Sequence, residues 1–266
     1  MSIQAYDADM VEPPGIEALA AAGVGNLWRS LGGIWPLWSL LTFVYAISVA
    51  VLQSQGVPVV GGGLSGGLTS GVLAASAGSS LAAGLVTGIA VRTFLYREGA
   101  WKPDLGLIAY ATIVAVLGTL PTALATVATA QVHAGGQASL RGDAGMTAGG
   151  LVVGLAVLWA ALRLTLWPIS ALVGDADMGP GKSWQLMRGA VLRFVLAVIL
   201  LSAPVFILQL VVVMLMQPQG PLLGQLAATP LNSLMALLAA AVGAEIYRLR
   251  VRLQPSAPVV EDEGED

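Results

Sequence analysis

Six stretches of the chain are each long and apolar enough for a helix to cross a hydrocarbon core, which takes roughly 20 residues for ~30 Å. They cover residues 34–54 (IWPLWSLLTFVYAISVAVLQS), 68–96, 105–130, 149–173, 190–216 and 223–247. In lipid every backbone amide and carbonyl must find a partner within the protein, so such runs are expected to be helices. The fold class that follows is all-α: a polytopic membrane protein with six transmembrane helices. Charged residues make up only 10% of the 266, against about 25% in ordinary soluble domains.

The second run is the least apolar, but its small residues are regularly spaced. Gly67, Gly71, Ala74, Gly78 and Ala82 recur at three- or four-residue steps, as do Gly84 and Gly88. Such stripes let helices approach closely in a bilayer. The basic residues also require this span, because Lys and Arg accumulate in cytoplasmic loops. With six spans, one side holds Arg29, Arg92, Arg97, Lys102, Lys182, Arg188, Arg193, Arg248, Arg250 and Arg252, while the other holds only Arg141. Arg163 falls within a span. Both termini are thereby expected in the cytoplasm. The acidic opening MSIQAYDADMVEPPG lacks the positive start of a secretory signal, so the first apolar run is read as a permanent anchor.

Three units follow: a cytoplasmic N-terminal segment (1–33), a six-helix transmembrane domain (34–250) and an acidic, disordered tail (251–266) ending EDEGED. Within the first, Ile16, Leu19, Ala20, Leu27, Trp28 and Leu31 share one helical face, with Glu17, Asn26 and Arg29 elsewhere. The pattern predicts an N-terminal amphipathic helix at the membrane interface.

Two literal motifs invite a nucleotide-binding reading. Ala176 to Ser183 matches A-x-x-x-x-G-K-S, and Gly61, Gly63 and Gly66 match G-x-G-x-x-G. Both need a strand leading into the turn and a helix leaving it, with successive amides around the phosphates. Here apolar spans flank the first, Pro180 removes one amide donor, and the second is an outer linker. An ATPase is not the expectation. The absence of Cys excludes disulfides, thiolate nucleophiles and Cys-ligated zinc. The single His133, assigned to an outer Gly-rich loop, offers no metal pair. No catalytic, cofactor-binding or metal-binding residues are expected, nor is a nucleic-acid partner.

On a helix starting near Ser183, Trp184, Met187, Val191 and Phe194 share one side, while Lys182, Gln185 and Arg193 share the other. Trp beside Lys and Arg is the chemistry of a membrane interface. Lys182, Trp184, Arg188 and Arg193 are therefore candidate contacts for anionic lipid headgroups, or for the acids of a protein partner or a second copy of the chain.

The order RLTLWPISALVGDADMGPGKSWQLMRGAVLRFVLAVILL resembles the signature of the YciC-like proteins and of the related membrane domain of glycerophosphoryl diester phosphodiesterases. Its elements here are Arg163, Pro168, Asp175 with Asp177, Gly179 with Pro180, Ser183 to Leu186, Arg188 with Gly189, and Arg193. The resemblance implies a bacterial inner-membrane protein without an assigned reaction. It does not carry phosphodiesterase activity over, because the residues after the last span are too few for a barrel of ~250 residues.

The candidate intramembrane charges are Arg163 and Glu245. An Arg at a helix centre costs about 2.5 to 3.5 kcal/mol on insertion scales. If span four ends at Trp167 and Pro168, Arg163 snorkels to the interface; if it runs to Val173, the charge is deep and Glu245 is the best counter-charge. Glu245 has a local alternative in Arg248, at i+3. Pro121, Pro204 and Pro230 also fall within spans, where freed carbonyls and kinks make room for ligands. The leading expectation is a non-catalytic protein that organises the membrane or binds lipid or a partner. Its rival is a small-molecule or lipid transporter with a cavity near Arg163.

Overall fold

The computed structural model describes residues 15–54, 70–96, 101–134, 155–157, 159–175 and 178–252. The acidic end, Gly61 to Gly67, Arg97, Arg141 and Asp177 lie outside the described residues.

Among the described residues the regular elements are all helical. In chain order they are α1 (Ile16–Arg29), α2 (Leu31–Ser54), α3 (Ser70–Tyr96), α4 (Leu105–Ala134), α5 (Leu166–Val173), α6 (Pro180–Leu186), α7 (Val191–Met216) and α8 (Pro221–Tyr247). Five stretches are long and apolar enough to cross a membrane: Leu31–Ser54, Ala74–Tyr96, Leu155–Val173, Val191–Met216 and Leu222–Arg250. The remaining expected span coincides with α4, a helix of 30 residues whose Leu105–Thr119 portion is apolar. His133 falls in the last turn of α4 rather than in a loop.

The stretch Leu155–Val173 is not one continuous helix. Pro168 has no N–H to offer the Leu164 carbonyl, and Trp167 N takes that carbonyl instead at 3.0 Å, in a tightened turn. The helix therefore breaks at Leu164 and Thr165 and restarts as α5. Gly174, at φ 77°, then ends α5 in the left-handed conformation that glycine adopts without strain.

Helix packing depends on where side chains are small. A Cβ on Gly84 would stand 3.0 Å from the Ala111 backbone, and one on Gly88 would stand 2.8 Å from Leu107 Cδ1. This lower part of the small-residue stripe is where α3 meets α4. Gly78, higher on the stripe, has nothing within 4 Å. Between α2 and α8, Trp38 Nε1 donates to the Pro230 carbonyl at 2.9 Å, and the Thr42 and Ser233 hydroxyls lie 2.7 Å apart. Pro230 deprives the Leu226 carbonyl of its helical donor, and Thr229 Oγ1 supplies one at 2.8 Å.

Helix α1 docks on α7 and α8. A Cβ on Gly23 would lie 2.8 Å from Val242 Cγ2 and 3.2 Å from Leu201 Cδ1, so only glycine allows this approach without displacement. The buried arc is Leu19, Ala20, Gly23 and Asn26, whereas Trp28 and Leu31 are exposed. That arc is rotated from the face expected from apolar residues alone. Its physical cause is a polar anchor: Asn26, only 4% exposed, donates from Nδ2 to Glu245 Oε2 at 3.0 Å.

Helix α7 is largely open along its length. After Val191, Phe194 and Ala197 none of its residues is buried, and Ile199, Ile207, Met214 and Leu215 are open.

Candidate functional site

One end of the bundle is tied together by side-chain to backbone bonds between helix termini. Arg248 Nη2 donates to the Phe94 carbonyl at 2.8 Å, joining α8 to α3, and Tyr247 Oη faces Asp175 Oδ2 at 3.4 Å. Ser170 Oγ donates to the Met178 carbonyl at 3.2 Å, drawing the start of α6 back onto α5. Arg29 Nη2 donates to Asn26 Oδ1 at 3.0 Å, and Arg248 Nη1 meets Glu245 Oε2 at 3.0 Å. These bonds place Arg29, Arg248 and the acid Glu245 at the same end. Glu245 thus serves Asn26 and the i+3 Arg248, and the structure does not bring it to Arg163.

The centre of this end is a buried guanidinium that sequence reading counted only as a loop charge. Arg92, with a side chain 8% exposed, bonds to both oxygens of Asp104 at 2.5 and 2.6 Å. It also donates to the Lys102 carbonyl at 2.8 Å and the Leu172 carbonyl at 3.0 Å. Asp104 in turn accepts from Leu107 N at 2.9 Å, capping α4. The Arg92 hydrogen bond, then the Leu107 amide, hold the Asp104 carboxyl below the usual carboxylate range. A Cβ on Gly106 would meet the Ala171 carbonyl at 2.8 Å, so α4 and α5 touch through their backbones. The legible signal was Asp104 as the N-cap of an apolar helix, beside a basic residue near the end of the preceding one.

The second arginine is Arg163, and its environment is different. Its guanidinium lies 5.4 Å from the Trp159 ring centroid and 5.2 Å from that of Trp184. Nη1 donates to the Trp184 carbonyl at 3.1 Å, while Nε is buried without a partner. Ser183 Oγ donates to the Arg163 carbonyl at 3.1 Å, clasping α6 to the broken stretch. Among the described residues, Arg163 has no ion pair.

Helix α6 occupies the A-x-x-x-x-G-K-S match. Gly179 caps it and Pro180 opens it, the first-turn position where a missing N–H costs nothing. Ser183 N bonds to the Gly179 carbonyl at 3.0 Å, so this amide serves a helix and not a phosphate cradle. Lys182, Gln185 and Arg188 are exposed, and Trp184 is 41% exposed. Met187, Val191 and Phe194 are buried, and Gly189 at φ 77° separates α6 from α7, which do not form one continuous helix. Arg193 is half-buried at the start of α7.

Fold and site together define a helical protein with several membrane-length helices and a basic end. No known protein family matches the chain, and no curated protein or solved structure is similar to it. Among the described residues, no group of three or more His, Cys, Asp or Glu is placed to hold a metal ion. The chemistry the described site offers is cationic and aromatic: hydrogen-bond donors for an anion, and rings for an interface.

Proposed function

We propose that the chain is a multi-pass protein of a bacterial inner membrane, spanning it six times with both termini in the cytoplasm. Its role is to organise lipid or to bind a partner at the basic elbow formed by α6, without catalysis of its own. The YciC-like resemblance belongs to this proposal. The observation that carries it is the exposure of Lys182 on a short helix whose other face, Ser183 and Leu186, is buried in the bundle, with Arg188 exposed in the turn that follows. Cations so placed beside an exposed Trp suit the headgroup layer of an anionic leaflet.

A nanodisc experiment tests it. Full-length protein reconstituted with mixed phosphatidylglycerol and phosphatidylethanolamine should enrich the anionic lipid around it. Lys182→Gln with Arg188→Gln should abolish the enrichment; enrichment that persists in this variant sinks the elbow reading. Reporter fusions at either terminus should be active only with a cytoplasmic reporter.

Transport is the second reading, favoured by the broken stretch at Leu164 and Thr165 beside Arg163, since transporters use discontinuous helices. Against it stands Pro230, whose freed Leu226 carbonyl is taken by Thr229 while its own carbonyl accepts from Trp38.

A further inference from the structure

We propose that Arg163, held between Trp159 and Trp184, is a binding site for a single phosphate oxyanion, supplied by a phospholipid headgroup or by free phosphate. The inference rests on the membrane reading above but concerns a different group from the exposed cations of the elbow. Arg163 lies in the middle of Leu155–Val173, a stretch apolar enough to cross a membrane. The planar guanidinium brings a full positive charge there. That charge needs an anion. Among the described residues no carboxylate pairs with it, and the only hydrogen bond from its guanidinium is the one from Nη1 to the Trp184 carbonyl.

The geometry restricts what can approach. With rings near 5.2 and 5.4 Å, the guanidinium is flanked by aromatic groups, and the buried Nε edge is closed to solvent. What remains is the outer edge, with both Nη2 hydrogens and the second Nη1 hydrogen. Parallel in-plane donors of that kind match two oxygens of a phosphate. The clasp from Ser183 Oγ to the Arg163 carbonyl, and the bond from Nη1 to Trp184, fix the edge before any ligand arrives. The site therefore reads the phosphate and not the rest of the headgroup: phosphatidylglycerol and phosphatidylethanolamine bind it alike, and salt affects it less than it affects exposed cations.

The test is native mass spectrometry of the full chain in detergent. It is titrated separately with palmitoyl-oleoyl phosphatidylglycerol and the matching phosphatidylethanolamine, with a calorimetric titration of sodium phosphate alongside. Wild type should retain one phospholipid of either kind, and Arg163→Gln should weaken that retention roughly tenfold or more, as expected for a charge-assisted hydrogen bond. Arg163→Lys, which keeps the charge and loses the fork, should fall between them. Arg163-dependent binding of sodium phosphate with no lipid retained identifies free phosphate as the source and still supports the site. Retention unchanged in Arg163→Gln, with helicity intact by circular dichroism, overturns the proposal. If Arg163→Gln does not fold, Trp184→Leu decides, since unchanged retention there overturns it equally. A co-purifying protein lost with Arg163→Gln, with no phosphate species bound, also overturns it. Lys182→Gln with Arg188→Gln should remove the preference for phosphatidylglycerol and leave the single retained lipid, so the two readings fail separately.

Discussion

Arg92 and Arg163 both sit in apolar, membrane-length stretches, and the chain treats them in opposite ways. Arg92 is enclosed by three acceptors from two segments: the Lys102 carbonyl and Asp104 carboxylate of the α3–α4 connection, and the Leu172 carbonyl of α5. Arg163 receives two aromatic rings and one carbonyl. The first arrangement satisfies its cation within the fold and so is structural. The second leaves the cation with donors to spare. What separates them is local: Asp104 lies just before α4, at the place where α3 returns, whereas no carboxylate flanks the break at Leu164.

The comparison breaks most readily at the floor of the Arg92 site. Gly106→Val should cost about 3 kcal/mol or more, because the added carbons meet the Ala171 backbone carbonyl, which has no room to yield. Thermal unfolding in detergent measures this; an unchanged midpoint would remove the claim that α4 and α5 touch through their backbones. Asp104→Ala comes next, at about 2 kcal/mol, since it removes a cap and leaves a buried guanidinium with carbonyls alone.

The same contact sets a dependence on pH. The Asp104 carboxyl titrates lower in the folded protein than when unfolded, so its contribution is full above the ordinary carboxylate value, about pH 4. It is lost as pH falls from there through the depressed folded value. The stability difference between wild type and Asp104→Asn should therefore be constant near neutrality and shrink only in acid. A difference that grew on acidification would contradict the assigned direction.

Arg163→Leu should cost less than about 1 kcal/mol in lipid-free detergent, because one hydrogen bond and two exposed-edge stacking contacts are exchanged for an apolar side chain. If it proves as damaging as Asp104→Ala, the contrast between the two arginines is false. Smallest of all, Trp159→Phe keeps an aromatic face and should change stability by a few tenths of a kcal/mol, near the low end for such contacts.

The helices themselves were legible because hydropathy over 20 residues is a property of composition. The apolar run at residues 190–216 meets α7 at Val191–Met216, and the run at 34–54 ends where α2 ends. Rotation was less legible. A helical wheel relates Asn26 to Trp28 by angle, but says nothing about which arc finds Gly23 opposite Val242, or Glu245 opposite Asn26. The break at Leu164 was half visible in Pro168, whose missing N–H was available to the eye; that α6 would fold back and bond to Arg163 was not, because that contact joins segments 20 residues apart. Lys182, Trp184 and Arg188 were picked out by composition alone, whereas Arg92 was passed over because its polar partners, in the α3–α4 connection and in α5, are brought to it only by the fold.

The docking of α1 has a consequence for the making of the protein. Asn26 and Glu245 are 219 residues apart in sequence, and synthesis runs from the N-terminus, so the groove between α7 and α8 is produced long after α1 emerges. Until then Gly23 and Asn26 have no wall to rest against, and α1 remains an unassembled part. Its closure onto Val242 and Glu245 is a late event in assembly, and protease protection of residues 16–29 during translation would mark the moment when the bundle is complete.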